Sequence, residues 1–202
     1  MIEYRKEYKI IFSRRELGEI FNFYQGIETI YQPRNISSVY MDTKKFDIYR
    51  ENLFNDAEKS KLRFRQYNEE GQVYKEIKVS NLFGKSKLVE KTDFKSLDDI
   101  KEYWYQDRPV YPTSLISYKR EYFKFKNLRI TIDSEISYLS TTLHSLINKS
   151  IEKNICILEI KLLNEKDRDV EKYFYKQPEA FSKYIDSIKL LYPKSSQVNL
   201  QY

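Results

Sequence analysis

Three cations alternate along one short segment of the chain: Lys61, Arg63 and Arg65. In a β-strand, alternate side chains lie on the same face about 6 to 7 Å apart, which is roughly the separation of neighbouring phosphates in an extended chain of phosphates. Like charges at this spacing repel one another unless an anion lies between them. The pattern favours a surface that binds a polyanion. The simpler alternative is a solvent-facing or edge strand that basic residues keep soluble.

A glutamate and a lysine also recur two residues apart, in Glu7-Tyr8-Lys9, Glu76-Ile77-Lys78 and Glu159-Ile160-Lys161. If these pairs face one cavity, the carboxylates can hold a divalent cation while the lysines bind phosphate oxygens. That division of roles is what phosphoryl transfer requires. Taken one at a time, the pairs are better explained as cross-strand ion pairs that contribute a few tenths of a kcal/mol each.

Period-two patterns predict the strands that must carry these residues. They span Glu3–Phe12, Ile36–Asp42, Ser60–Tyr67, Gln72–Ser80, Lys85–Asp93, Leu115–Phe125, Leu128–Glu135 and Asn154–Leu162. Turn-rich Asn68–Gly71 and Asn81–Gly84 separate the middle strands, and Lys126-Asn127 joins two later ones, so three hairpins are expected. The polar faces of these strands add Lys85, Lys87, Arg120, Arg129, Asp133 and Lys161 to the charged set.

Helices are expected between and after these strands. Ser13 and Glu16 form a capping box that opens a helix, and Gly26 closes it. Thr43–Asn52 indicates a short helix or turn, Ser96–Trp104 has helical periodicity, and Arg108-Pro109 with Tyr111-Pro112 breaks it. Further helices are expected near Asp167–Tyr175 and Pro178–Leu190. The prediction is a single α+β domain over residues 1–202, an eight-stranded antiparallel β-barrel with flanking helices.

Composition excludes several classes of protein. The 202 residues carry a net charge of +6, which favours anionic partners, and one cysteine, Cys156, excludes a disulfide framework and agrees with a cytoplasmic location. The only histidine, His144, argues against histidine-based zinc sites and catalytic triads. No segment approaches the roughly 18 apolar residues of a membrane span. Nucleic acid is not expected as a partner, because aromatic residues such as Tyr8, Phe64 and Phe123 occupy the strand faces opposite the cations.

The sequence resembles the VTC (vacuolar transporter chaperone) polyphosphate polymerase domain, a branch of the triphosphate tunnel metalloenzyme or CYTH-like superfamily. Nine segments carry the resemblance, in the family's order along the chain. They are Arg5–Lys9, Val39–Thr43, Tyr49–Asn52, Lys61–Arg65, Glu76–Lys78, Ser117–Glu121, Arg129–Asp133, Leu158–Lys161 and Phe181–Tyr184. Each segment is a weak signal alone, and the shared order makes the assignment specific.

The resemblance implies a tunnel lined by Lys and Arg, in which the γ-phosphate of ATP is transferred to a growing polyphosphate chain. By this resemblance, nucleotide or product phosphates would be bound by Lys9, Arg50, Arg63, Arg65, Lys78, Lys87, Arg120, Arg129 and Lys183. The strand faces add Lys61 and Lys161 to the phosphate-binding set. Glu159, with Glu7 as a second candidate, would hold Mn²⁺ or Mg²⁺. The family also implies a membrane-associated partner protein, and the sequence does not indicate an oligomeric state.

Two other functions remain open from the sequence. The same tunnel in a triphosphatase would hydrolyse inorganic or nucleoside triphosphates with a water activated by glutamate. A binding module would retain the cations without catalysis. The polar faces offer about ten cations against the five carboxylates Glu3, Glu7, Glu76, Asp133 and Glu159, an excess that suits a long polyanion and modestly favours the polymerase.

Overall fold

A computed structural model describes residues 6–54, 58–68, 71–82, 84–141, 149–162 and 170–193. The described residues form ten β-strands and three α-helices. The strands are β1 (Glu7–Phe12), β2 (Glu28–Asp42), β3 (Glu58–Tyr67), β4 (Tyr74–Asn81), β5 (Gly84–Lys91), β6 (Tyr103–Tyr105), β7 (Arg108–Phe125), β8 (Leu128–Ser140), β9 (Ser150–Lys153) and β10 (Cys156–Leu162). The helices are α1 (Leu17–Phe23), α2 (Asp47–Phe54) and α3 (Lys183–Leu191), with 3₁₀ turns at Arg14–Glu16, Leu97–Asp99 and Val170–Tyr173.

The strands form one antiparallel sheet in the order β1-β10-β8-β7-β2-β3-β4-β5, with β6 and β9 attached to β7 and β8. The predicted α+β class and antiparallel tunnel-like sheet are confirmed. Among the described residues no backbone ladder joins β1 to β5, so hydrogen bonds between backbone groups do not close the barrel. Side chains connect the two ends instead: Lys85 Nζ of β5 donates to the Glu7 carbonyl of β1 at 3.2 Å.

The two faces of the curved sheet differ in polarity. On the outer face, α1 packs Ile20 and Tyr24 against Ile10, Leu158 and other buried apolar side chains of β1, β8 and β10. On the inner face, the odd-numbered residues of these strands include the charged side chains, as the period-two pattern predicts: Glu7, Lys9, Arg129, Asp133, Glu159 and Lys161. Burial of the apolar face beneath the helix therefore fixes the register that turns the charged side chains inward.

The structure corrects several predicted boundaries. β2 begins at Glu28 rather than Ile36, with register shifts between Thr29 and Tyr31 and between Tyr31 and Arg34. β7 runs through Pro109 and Pro112, because Pro109 pairs with the short strand β6 and Pro112 lies next to another register shift, positions where a missing N–H is tolerated.

The predicted helix over Ser96–Trp104 is wrong. Only the Leu97–Asp99 turn is helical, and Tyr103–Tyr105 forms β6. Gln106 and Asp107 both have positive φ, at 51° and 56°, as a tight hairpin turn between β6 and β7 requires.

Other predictions near the ends of the chain meet mixed outcomes. The capping box at Ser13 and Glu16 is present, and Gly26 follows α1 with a φ of 81°. The helix predicted over Pro178–Leu190 begins only at Lys183, after the N-cap Ser182. Residues 3–5 of the first predicted strand and 167–169 of a predicted helix lie outside the described residues. In the part of the chain that the structure describes, no helix is long and apolar enough to cross a membrane.

Candidate functional site: a cationic cavity inside the sheet

The inner face of the sheet encloses a cavity of about 830 Å³. Twelve cations of the described residues line it: Lys9, Lys59, Lys61, Arg63, Arg65, Lys78, Lys85, Lys87, Arg120, Arg129, Lys161 and Lys183. The carboxylates Glu7 and Glu159 also line it, and Glu76 and Asp133 contact its arginines. The positive excess at this one site therefore exceeds the net charge of +6 on the whole chain.

The cavity collects every residue predicted for the site except one. Arg50 lies on α2, where it forms an ion pair with Asp47 at 3.7 Å, and it is not among the described residues that line the cavity. α2 follows β2 along the chain, and the carboxylate of Asp42, the last residue of β2, fixes the start of this helix. The family resemblance predicts Arg50 as a phosphate-binding residue, but in the described part of the chain Arg50 is not among the residues that line the cavity.

Two buried carboxylates organise the arginines. Glu76 accepts hydrogen bonds from Arg63 Nε and Nη2 at 2.7 and 2.5 Å and lies 3.2 Å from Lys87 Nζ. Asp133 accepts from Arg120 Nε and Nη2 at 2.5 and 2.7 Å, and from Lys183 Nζ. Burial opposes ionisation of both acids, yet the neighbouring cations keep the pKa of each below its ordinary value. Both carboxylates are therefore charged and hold the guanidinium groups in fixed positions.

Arg65 is the most enclosed cation of the cavity, with 4% of its side chain exposed. Its Nε donates to Ser38 Oγ at 2.9 Å and its Nη2 to Tyr118 Oη at 3.1 Å, while its Nη1 lies 3.5 Å from Glu76. Two of its hydrogen bonds thus go to neutral hydroxyls, which do not cancel its charge. An anion that enters the cavity meets this charge in a poorly hydrated setting, where the attraction is strong.

The segment before α3 closes one wall of the cavity. Lys9 Nζ donates to the Phe181 carbonyl at 2.7 Å, and Lys61 Nζ donates to Ser182 Oγ at 3.1 Å. Burial lowers the pKa of both lysines to about 7, and repulsion from Lys78 adds to this effect at Lys61. These two lysines therefore gain or lose their charge near neutral pH.

Glu7 and Glu159 share one ammonium group. Lys161 Nζ lies 3.1 Å from Glu7 Oε1 and 2.9 Å from Glu159 Oε1, and Lys78 Nζ donates to Glu7 at 2.7 Å. Although burial and mutual repulsion raise it, Lys78 and Lys161 lower the pKa of Glu7 to about 2. Against the same burial, Lys161, Arg120 and Lys9 hold the pKa of Glu159 well below its usual range.

This pair fits a divalent metal only in part. Two ionised carboxylates supply the hard oxygen ligands that Mg²⁺ and Mn²⁺ prefer. Among the described residues, however, no group of three His, Cys, Asp or Glu side chains could hold an ion. The donor set suits an ion that takes its remaining ligands from substrate phosphates and water, as Mg²⁺ commonly does.

Comparison with known proteins identifies the family. The VTC domain model matches residues 5–106 and 90–192, which together cover most of the chain. The chain belongs to the VTC domain family. No curated protein is significantly similar to it in sequence.

Solved structures share the fold of this VTC domain at low sequence identity. PH1012 from Pyrococcus horikoshii OT3 is 11% identical over 90% of this chain and 98% of its own, with a TM-score of 0.56. PH1819 from the same organism is 13% identical over 92% and 99%, with a TM-score of 0.53. Hippeastrum HpAC1, described as having a dominant triphosphatase activity, is 11% identical over 91% and 94%, with a TM-score of 0.51. The predicted relation to the VTC and triphosphate tunnel proteins is thereby confirmed.

Sequence reasoning left several residues out of the site. Tyr40 and Tyr118 line the cavity, and Tyr40 Oη accepts a hydrogen bond from Arg63 Nη1 at 2.7 Å. Lys59 and Ser182 also line it. Tyr40 and Tyr118 share strand faces with Ser38 and Arg120, so the alternation of β2 and β7 contained the signal. Ser182 directly precedes α3 and belongs to no strand, so no periodic pattern in the sequence predicts that it lines the cavity.

Proposed function

We propose that this VTC domain is a polyphosphate polymerase that transfers the γ-phosphate of ATP to a growing polyphosphate chain. The enclosed set of twelve cations, ordered by two buried carboxylates, is the observation that carries the proposal. The excess of these cations over the carboxylates Glu7, Glu76, Asp133 and Glu159 is larger than the charge of a single triphosphate. A polyphosphate chain that continues through the cavity can supply further phosphates to pair with them. Membership of the VTC domain family supports the same activity.

The reaction needs positioning and charge stabilisation more than covalent help from the protein. A terminal oxygen of the polyphosphate attacks the γ-phosphorus, a new P–O–P linkage forms, and the bond to the β-phosphate oxygen breaks so that ADP leaves with the electron pair. The attacking oxygen is already ionised, so no histidine base is required. Arg63, Arg65, Lys78, Arg120 and Arg129 are proposed to stabilise charge on the transferring phosphoryl group.

The remaining cations have a binding role in this proposal. Phosphates of donor and product would be held by Lys9, Lys61, Lys87, Lys161 and Lys183, all of which line the cavity. Glu159 and Glu7 would hold Mn²⁺ or Mg²⁺, which would neutralise phosphate charge when bound. To accept the ion, the two carboxylates must release Lys161, and that lysine then becomes available to a phosphate.

A triphosphatase is the second candidate. The fold shared with Hippeastrum HpAC1, which is described as having a dominant triphosphatase activity, is compatible with water as the acceptor instead of phosphate. The two activities require the same donor site and differ in what occupies the acceptor position.

One assay separates the candidates. The purified chain is incubated with ATP and MnCl₂, and polyphosphate, orthophosphate and ADP are quantified over time. Long-chain polyphosphate produced with equivalent ADP supports the polymerase. Orthophosphate without polymer contradicts it in favour of the triphosphatase, and tight polyphosphate binding without either product indicates a binding module.

A further inference from the structure

The inner face of the sheet continues beyond the cavity into a cluster of arginine and tyrosine. Arg34 lies directly opposite Arg120 in the β2–β7 ladder, and Tyr31 lies opposite Tyr122. Opposite residues of antiparallel strands share a face, so these side chains extend the face on which Arg120 lines the cavity. Tyr67 follows Arg65 on the same face of β3.

Planar cations and aromatic rings alternate in this cluster. The Arg34 Cζ atom lies 5.9, 6.0 and 5.7 Å from the ring centres of Tyr31, Tyr67 and Tyr122. Arg65 Cζ lies 5.9 Å from the Tyr67 ring, and Arg129 Cζ lies 5.7 Å from the Tyr122 ring. The cluster therefore joins cavity arginines to a surface at which Tyr31 is 52% exposed. Inside the cavity Tyr40 and Tyr118 accompany twelve cations of the described residues, whereas outside it three aromatic rings surround the single arginine Arg34.

The backbone holds this cluster in place. Asn35 N donates to Asn68 Oδ1 at 2.9 Å, and Asn68 N donates to the Asn35 carbonyl at 2.8 Å, which ties the middle of β2 to the end of β3 beside Arg34 and Tyr67. The register shifts on either side of Tyr31 turn this part of β2 away from regular pairing. A surface fixed in this way loses little conformational entropy on binding a ligand.

Among the described residues, two buried polar atoms next to the cluster have no hydrogen-bond partner. They are Thr131 Oγ1, whose residue lies opposite Tyr122 in the β7–β8 ladder, and Arg129 Nε. Buried polar atoms are normally satisfied, so an unsatisfied hydroxyl and guanidinium nitrogen two residues apart on one face of β8 indicate a place for ligand oxygens.

We infer that Tyr31 and Arg34, backed by the buried Tyr122, form a subsite for the nucleobase of the donor nucleotide, with Thr131 and Arg129 facing its sugar and nearest phosphate. The inference rests on the proposed function, since it assumes that a nucleoside triphosphate is the donor. A flat aromatic base stacks on tyrosine and arginine, whereas a polyphosphate chain has no π surface to match them. The subsite would thus distinguish a nucleotide from an inorganic phosphate chain.

The test compares two ligands that share a triphosphate and differ in the nucleoside. Dissociation constants for ATP and inorganic tripolyphosphate are measured by calorimetry for the wild type and for Tyr31→Ala, which removes a ring without changing charge. We expect the dissociation constant for ATP to rise about tenfold, the effect of one lost stacking contact, while that for tripolyphosphate changes less than about twofold. Tyr31→Phe, which keeps the ring, should bind ATP as the wild type does. Trp104→Ala, an exposed aromatic residue of β6 outside the cavity, is the matched control.

Several results would overturn the inference while leaving the proposed function intact. They are equal weakening of both ligands in Tyr31→Ala, no weakening of either, or wild-type binding of tripolyphosphate as tight as that of ATP. Arg34→Lys adds a check on geometry: it keeps the charge and loses the planar group, so it should weaken ATP selectively. A wild type that binds neither ligand would contradict the proposed function itself.

Discussion

At the scale of single residues, the site is a set of arginines held by acids that do not line the cavity. Glu76 and Asp133 are each 1% exposed, and each holds one arginine through two hydrogen bonds. An incoming phosphate therefore meets guanidinium groups that are already oriented, and little reorganisation is needed during the reaction. Arg65 has hydroxyl partners at Nε and Nη2 and lies 3.5 Å from Glu76, so its charge is compensated less closely than that of Arg63 or Arg120.

Arg65→Ala and Glu159→Gln should each abolish most activity in an otherwise folded protein. Arg65 is proposed to stabilise transition-state charge and Glu159 to hold the metal ion that neutralises phosphate charge, and loss of one such contribution typically costs about 10²- to 10³-fold in turnover. Glu76 keeps Arg63 and Lys87 as partners when Arg65 is removed, so the fold should persist. Turnover of ATP with Mn²⁺ is the measurement, with circular dichroism to confirm folding. Arg14→Ala, at an exposed position with a 4.0 Å ion pair to Glu135, is the control. Unchanged turnover in either variant would contradict the assignment of that residue.

Lys61 should make anion binding dependent on pH. Burial lowers its pKa to about 7, so it is charged below that pH and neutral above it. We expect the affinity for tripolyphosphate to fall between pH 6 and pH 8 by more in the wild type than in Lys61→Arg, whose guanidinium stays charged. Comparing the two proteins removes the ionisation of the ligand itself. Parallel pH profiles would show that Lys61 does not titrate in this range.

The charged members of the site were accessible from sequence because strand alternation places them. Arg63, Arg65, Lys78 and Lys161 could be assigned to inner faces by period two alone. The acids that order them could be seen on those faces, but their pairing depends on which strands are neighbours. Glu76 opposes Arg63 only because β3 pairs with β4 in that register. Tyr40 shares a strand face with Ser38, but a tyrosine on a strand is usually part of the core. Its alternation alone therefore does not assign it to the site.

At the scale of elements, α2 and α3 are joined to the sheet through one buried acid. Asp42 ends β2, and its carboxylate accepts from Ile48 N at 2.8 Å, Tyr49 N at 2.9 Å and Thr43 N at 2.7 Å. Tyr184 of α3 donates its hydroxyl to the same carboxylate, and its ring stacks on Tyr40 at 5.1 Å. The position of α3, and with it that of Lys183, therefore depends on this acid.

Asp42→Ala should destabilise the domain by about 2 kcal/mol, since it removes a helix cap and leaves buried N–H groups unsatisfied. Urea unfolding is the measurement, and Asp98→Ala on an exposed 3₁₀ turn serves as the control. Tyr184→Phe should have a smaller effect because the three backbone donors remain. A loss for Asp42→Ala no larger than that of the control would show that water replaces the carboxylate.

Element prediction succeeded where charged and apolar residues alternate over at least part of a strand, as in β1, β3 and β10. It failed where tertiary contacts decide. The first half of β2 carries Pro33 and two register shifts, which hide its alternation, although it supplies Tyr31 and Arg34 to the inner face. Over Ser96–Trp104 the apolar spacing fits a helix, but pairing with Arg108–Val110 draws Tyr103–Tyr105 into a hairpin.

At the scale of the whole molecule, the two ends of the sheet meet through side chains. Glu7 of β1 contacts Lys78 of β4 at 2.7 Å and Lys85 of β5 at 3.7 Å, and Lys161 of its own neighbour β10 at 3.1 Å. Because the sheet path ends at β1 and β5, these ion pairs hold the cavity closed along that side. Glu7 therefore serves the enclosure as well as the proposed metal site.

Glu7→Gln should lower stability at neutral pH, and the difference from the wild type should vanish in acid. The pKa of Glu7 is lowered from 4.5 to about 2, so its stabilising effect is complete above about pH 4.5 and is lost as the pH falls through about 2. Thermal unfolding of both proteins between pH 7 and pH 2 is the measurement. Glu135→Gln, at a side chain that is 54% exposed, is the control. A difference that stays constant with pH would mean that packing, and not charge, accounts for the effect.

The unpaired backbone edges of β1 and β5 have a consequence for solubility. In the described residues β1 and β5 each pair on one side only, so each presents a row of backbone amides to which a strand of another molecule could add. Leu88 and Val89 of β5 are 53% and 44% exposed, which makes such addition more favourable, and Lys85, Lys87 and Lys91 on the same strand oppose it by repulsion. The lysines at this edge therefore also act as gatekeepers against aggregation. Neutral substitutions of Lys85 or Lys87 should be checked for self-association before a loss of binding is attributed to the cavity.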